Sequence, residues 1–166
     1  MRLGLLASGF PRAGCSTAGR ARRFARSIAC ALALVAGAAL PADDPLARYA
    51  GRVVYLDFWA SWCGPCAESF PWLNQMQAKY GDRIAIVGVD VDERAADGAA
   101  FLKRHPADFA ILPDANGTLA ERFHIEGMPS TVILGADGRV LHRHEGFIAG
   151  KTTQYEAILR GMLPAH

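Results

Sequence analysis

Two cysteines separated by two residues, Cys63-Gly64-Pro65-Cys66, are the part of this chain best suited to chemistry. An apolar run, Val53 to Trp59, precedes them and reads as a buried strand; an amphipathic segment, Ala67 to Tyr80, follows and reads as a helix. The pair therefore opens a helix. Helix N-termini carry partial positive charge and unpaired N–H groups, which stabilise an anion placed there. A thiolate is such an anion, so Cys63 is expected to have a lowered pKa and raised nucleophilicity. Cys66, one turn along, can attack Cys63, close a disulfide and release whatever Cys63 has captured. The expected chemistry is thiol–disulfide exchange, with the Cys63–Cys66 pair itself as the redox group and no separate cofactor.

Two blander readings of the pair compete with this one. Cys15 and Cys30 fall in a distinct N-terminal leader, so Cys63 and Cys66 are the only cysteines of the remaining chain. A zinc site would need a second ligand pair, and the histidines (His105, His124, His142, His144, His166) are scattered; no metal is expected. A purely structural disulfide with a two-residue spacer closes too short a loop to restrict the unfolded chain much.

The leader, residues 1–42, is unlike the rest. It holds six arginines and no acid, then an apolar run of 13 residues from Ile28 to Leu40, ending in small residues around Ala36-Gly37-Ala38-Ala39. A basic start, a short apolar run and a small-residue exit are the features of a secretory signal peptide, with a retained membrane anchor as the alternative. The expected domain is 43–166, exported and soluble after cleavage. That part has 12 basic and 16 acidic residues, a net of −4, and no basic cluster. Nucleic acid is therefore not an expected partner.

The elements that must position the cysteines follow in order. A loose turn over Pro45 to Tyr49 leads into the strand Val53–Trp59, whose near-continuous apolarity suggests cover on both faces. Asp57 is the exception. A carboxylate in such a run is either hydrated at a strand edge or aimed at the active site. We take it to lie beneath Cys63 and Cys66 as proton acceptor for Cys66, with burial raising its pKa toward neutrality. The helix from Cys63 to Tyr80 contains Pro71, expected to kink it, and ends at Gly81. Ile84–Asp90 reads as a second buried strand, parallel to the first through a right-handed crossover. Then come a helix (Glu93–Arg104, exposing Glu93, Arg94, Asp97, Lys103 and Arg104), a strand (Phe109–Leu112), a short helix (Thr118–Phe123), a strand (Thr131–Leu134), a hairpin at Ala136-Asp137-Gly138, a strand (Arg139–Glu145) and a closing helix (Thr153–Leu163).

Asp57-Phe58-Trp59-Ala60-Ser61-Trp62-Cys63-Gly64-Pro65-Cys66, with Pro71 and the later Met128-Pro129-Ser130-Thr131, strongly resembles the thioredoxin superfamily over roughly residues 52–163. The leader, the extra strand and helix, and the phrases Val89-Asp90-Val91-Asp92 and His144-Glu145-Gly146-Phe147 are similar to its exported TlpA/ResA-like branch. The resemblance implies an α/β thioredoxin fold: a central mixed sheet flanked by helices, with a strand–helix insertion before a cis-proline at Pro129. It implies that Met128 offers its backbone to an extended client, that Trp62, Gly64 and Pro65 border the client site, and that Trp59 and Trp62 wall it, Trp59 and Pro71 also supporting the structure. Where thioredoxins often carry a lysine near the aspartate, this chain has Gly88. Asp57 therefore lacks a cationic neighbour, and its pKa is expected to be further elevated.

The function expected on these grounds is reduction of disulfides in client proteins outside the cytoplasm, by a monomer recharged from an upstream, membrane-bound electron donor. Gly64-Pro65 favours the reducing end of a scale on which thioredoxin lies near about −270 mV and the oxidant DsbA near about −120 mV. A narrower reading is a thiol reductase for apocytochrome c. A dithiol oxidase, a peroxiredoxin-like antioxidant protein and a non-enzymatic binding domain are further alternatives. A peroxidatic site wants a single cysteine in a Pro/Thr-lined pocket, which Asp57 to Trp62 does not offer.

Overall fold

β1 (Val53–Trp59) is buried at all seven positions, as an apolar run covered on both faces must be. The computed structural model describes residues 44–163. In it, α1 (Gly64–Tyr80) carries the chain from β1 to β2 (Ile84–Asp90), which is also buried throughout and lies parallel to β1. After α2 (Ala95–Arg104), β3 (Ala110–Pro113) adds parallel to β2 at one sheet edge. α3 (Thr118–Arg122) leads to β4 (Ser130–Leu134), antiparallel to β1 on its other side. β5 (Val140–Glu145) pairs antiparallel with β4, and α4 (Thr152–Met162) closes the described chain. The order is β3-β2-β1-β4-β5, a mixed sheet flanked by helices, which is the expected thioredoxin fold. The strand–helix pair β3–α3 precedes the cis peptide bond between Met128 and Pro129.

Side-chain alternation along the strands divides the core in two. Tyr55 and Trp59 face a cluster that includes Phe70, Leu73 and Met76 of α1, Phe101 of α2 and Leu159 of α4. Val54, Leu56 and Phe58 face the opposite way, onto Leu119 of α3 and Phe123. Asp57, between Tyr55 and Trp59 in this alternation, therefore shares the face on which α1 packs.

Most expected elements fall within a residue or two of the structure. Differences have physical causes. α1 starts at Gly64 because Cys63 is its N-cap, in extended geometry. α2 starts at Ala95, not Glu93: Asp92, whose type would cap an earlier start, gives both carboxylate oxygens to Ser61 instead. Asp97, expected to be exposed, is half-buried and paired with Arg94 at 2.8 Å. α1 is unbroken through Pro71. The leader lies outside the described residues. Among those described, no helix is long and apolar enough to cross a membrane.

Candidate active site

Cys63 and Cys66 form a disulfide, with Cα atoms 5.3 Å apart. The Cys66 N–H donates to Cys63 Sγ at 3.3 Å. This is the N-cap interaction with sulfur in the place of the usual oxygen, so one of the free amides in the first turn of α1 points at the sulfur expected to carry charge. Exposure separates the two residues: Cys63 retains 5 % of its surface and Cys66 none. Gly64 and Pro65 are exposed beside them, and Trp62 stands out at 73 % exposed.

Trp59 keeps the supporting role expected of it and loses the other, that of walling the site. It is fully buried, packed against Phe70 and Phe101 with ring centroids 5.2 and 4.8 Å away, and cannot form part of the site's surface. Only Trp62 is available to touch a client. The reason is register. Trp59 is the last residue of β1 and points into the α1-facing core, whereas Trp62 lies beyond the strand on the turn into the helix.

Asp57 is buried beneath α1. Ser69 Oγ lies 3.4 Å from its Oδ2, and Thr131 is its β4 partner in the sheet register, with a hydroxyl that favours the charged carboxyl. Thr131 Oγ1 is in turn 3.1 Å from Tyr55 Oη. Burial drives the Asp57 pKa up from 3.8 to about 7, and the bonds from Ser69 and Thr131 only partly oppose it. The Tyr55 hydroxyl is pushed well above its usual range by burial and then by the neighbouring Asp57 charge. Gly88 is the β2 partner of Asp57 in the sheet register. A Cβ there would come within 2.9 Å of Ile111 Cδ1 and 3.0 Å of both Phe109 Cε2 and Trp59 Nε1. The space that a cationic side chain would need beside Asp57 is therefore filled with apolar and indole groups.

Pro129 is buried at the head of β4, and its carbonyl accepts the Gly146 N–H at 2.7 Å. Phe58 pairs with Ser130, so Pro129 lies at the end of β1 from which the Cys63 turn departs. Met128 is half-buried and packs against both core clusters. Pro71 is exposed within α1.

Three features escaped the sequence reading. Ser61 donates its N–H and Oγ–H to Asp92 at 2.8 and 2.9 Å, fixing the turn that carries Trp62 and Cys63. Asp92's own N–H donates to Asp90 Oδ1 at 3.0 Å, and burial raises the Asp90 pKa to about 6. Ser69 touches both Asp57 and the Cys66 carbonyl. Ser69 could have been noticed as the residue one turn after Cys66, on the face that must look down at β1. The Ser61–Asp92 bond joins residues 31 positions apart and leaves no local pattern.

The Redoxin family profile matches residues 30–159. A protein named thiol:disulfide interchange protein DsbE homolog, from Paracoccus denitrificans, is 36 % identical over 104 residues, covering 62 % of this chain and 55 % of that protein. A thiol-disulfide oxidoreductase ResA from Bacillus thuringiensis is 28 % identical over 102 residues, covering 61 % of this chain and 59 % of that one. The chain thus spans little more than half the length of these relatives. Among solved structures, a putative thiol:disulfide interchange protein DsbE from Chlorobium tepidum superposes with a TM-score of 0.69 at 41 % identity, covering 72 % of this chain and 85 % of that chain.

Proposed function

The chain belongs to the Redoxin family, and we propose that it is a thiol–disulfide oxidoreductase that reduces disulfides in exported client proteins. The observation that carries this reading is Cys63 Sγ at the N-cap of α1, accepting the Cys66 N–H while covalently joined to Cys66. In the reduced protein the same amide and the helix terminus stabilise the Cys63 thiolate. That thiolate attacks one sulfur of a client disulfide; the S–S bond breaks and the client's other sulfur leaves as a thiolate. Asp57 takes the proton from Cys66. The Cys66 thiolate then attacks Cys63 Sγ, displacing the client's second sulfur. Two electrons pass to the client, and Cys63–Cys66 is left as the disulfide, with no other redox group required. An upstream donor, which we take to be membrane-bound, returns the pair to the dithiol.

Trp62, Gly64 and Pro65 offer exposed surface for the client, and Met128 offers its backbone. Among the described residues neither the N–H nor the C=O of Met128 is engaged in a backbone hydrogen bond. An extended client segment could therefore pair there. The composition of the leader supports export. A monomer suffices, because every group named above comes from one chain.

The test is an equilibrium redox titration of the full chain together with turnover of a disulfide-linked protein substrate. A potential near the reducing end of the scale, and loss of turnover in Cys63→Ser, are expected. Cysteines that never cycle, or a potential at the oxidising end, would overturn the reading. The narrower role of apocytochrome c thiol reductase differs in client alone. Cys66→Ala should accumulate the mixed disulfide, and the mass of the trapped client decides between them.

A further inference from the structure

Ser69 is 1 % exposed and lies between two acceptors that belong to different parts of the proposed mechanism. Its Oγ is 3.0 Å from the Cys66 carbonyl oxygen, one turn back in α1, and 3.4 Å from Asp57 Oδ2 on β1. A serine hydroxyl has one hydrogen and two lone pairs, so it can donate to only one of these oxygens at a time. The shorter contact gives the hydrogen to Cys66. Asp57 can then approach Ser69 Oγ favourably only by donating, which requires a protonated carboxyl. Once Asp57 ionises, the balance reverses. A buried carboxylate needs donors, whereas the Cys66 carbonyl still belongs to the hydrogen-bond ladder of α1 and is not orphaned by losing Ser69.

We propose that Ser69 is a positioning residue whose single hydroxyl hydrogen switches from the Cys66 carbonyl to Asp57 when Asp57 ionises, coupling the charge of that carboxyl to the helix turn that carries Cys66. The switch moves one hydrogen by rotation about the Ser69 Cβ–Oγ bond; no covalent bond is made or broken. It deepens the reading above, since Asp57 matters through Cys66 in both.

The groups around Asp57 leave this role to few candidates. From α1 comes Ser69, whose Oγ also reaches the Cys66 carbonyl; from β4, Thr131, whose hydroxyl is shared with Tyr55 of β1. From β2 comes only Gly88, without a side chain. Tyr155 of α4 acts on Tyr55. Thr131 shares its hydroxyl with Tyr55 and makes no hydrogen bond to α1's first turn, so among the described residues Ser69 alone joins the carboxyl to the cysteine segment.

The experiment is a carbon-13 NMR titration of the full chain in the disulfide state, following the Asp57 carboxyl and the Cys66 carbonyl together. Both signals should titrate with one shared midpoint, because the Cys66 carbonyl loses its hydrogen bond as Asp57 ionises. Ser69→Ala should raise the Asp57 midpoint by roughly one pH unit and leave the Cys66 carbonyl flat, whereas Ser69→Thr keeps the hydroxyl and should restore both behaviours. A Cys66 carbonyl that does not follow Asp57 in the unaltered protein overturns the proposal, with no variant needed. So does an unchanged Asp57 midpoint in Ser69→Ala, or an equal displacement in Ser69→Ala and Ser69→Thr. None of these readouts involves turnover, so a chain that reduces no client would defeat the proposed function and leave this inference to its own result.

Discussion

Ser61 donates both its N–H and its Oγ–H to the Asp92 carboxylate, at 2.8 and 2.9 Å, so the end of β2 holds the turn between β1 and α1. Val91 N–H adds a bond to Trp59 O at 3.0 Å. The cysteine turn is therefore suspended from two neighbouring strands. Asp92→Ala leaves the half-buried Ser61 donors without their carboxylate, which should lower the stability of the oxidised protein by about 1–2 kcal/mol. Asp92→Asn retains an acceptor and should lose less. Chemical denaturation gives the first number, and the rate of Cys63 attack on a small disulfide reports whether the loosened turn also slows chemistry. An Asp92→Ala variant unchanged in both would remove the anchoring role.

Asp57 sets a pH dependence whose sign follows from its displaced pKa. Its folded value, about 7, lies above the ordinary 3.8, so across that window the native protein holds a proton that the unfolded chain has released. Stability therefore falls as pH rises from the lower value to the upper. Asp57→Asn keeps the shape and removes the titration. It should be more stable than the parent above pH 7 by up to about 4 kcal/mol, and the two should converge at the acid end of the window. The same substitution should abolish the rise with pH in the rate of resolution by Cys66. Denaturation of the oxidised protein at the two pH extremes and stopped-flow kinetics check the two halves separately.

Gly88 is required by packing. A Cβ at this position would meet Ile111, Phe109 and the Trp59 indole at 2.9–3.0 Å; the Ile111 end can give on the half-exposed edge strand, but Phe109 and Trp59 are held in the close-packed core. Gly88→Ala should destabilise by about 1–3 kcal/mol. Gly88→Lys, which would supply the missing cation, should lose more, because the ammonium would have to displace Phe109 or Ile111 before reaching Asp57. Thermal and denaturant unfolding of the two variants measure this; an Ala variant as stable as the parent would contradict it.

His144 works in the opposite direction from Asp57. Burial, and then the neighbouring His142, lower its pKa from 6.5 to about 4, while its ring stacks on Tyr155 at 4.7 Å. As pH falls through 6.5 the unfolded chain takes up a proton that the native protein refuses, so stability is lost down to about pH 4. His144→Phe preserves the stack without the titration and should show a shallower acid limb. Parallel acid-unfolding curves for the two proteins would refute it.

What could be read from the residue order follows from local physics. The Val53–Trp59 and Ile84–Asp90 runs are apolar at nearly every position, and in the structure they are strands with those bounds, because only a strand covered on both faces buries such a run. The Cys63-Gly64-Pro65-Cys66 spacing and its place at a helix start were equally legible, as was Asp57, since one carboxylate in a buried strand must answer for its desolvation. The division of labour between Trp59 and Trp62 was legible only in part: Trp59 was expected both to support the structure and to wall the site, and its packing between Phe70 and Phe101, from two different helices, leaves it the first role alone.

By itself, then, the residue order determined which two cysteines share a turn at a helix start and which strands flank that turn, because hydrophobic periodicity and helix capping act over a few neighbouring residues. Tertiary structure decided what steadies and tunes those atoms. Ser61 meets Asp92, Thr131 meets Tyr55 and Gly88 yields its space to Phe109 and Ile111 only once the sheet is assembled, and hydrogen bonds and close contacts made across strands leave no periodic trace along the chain.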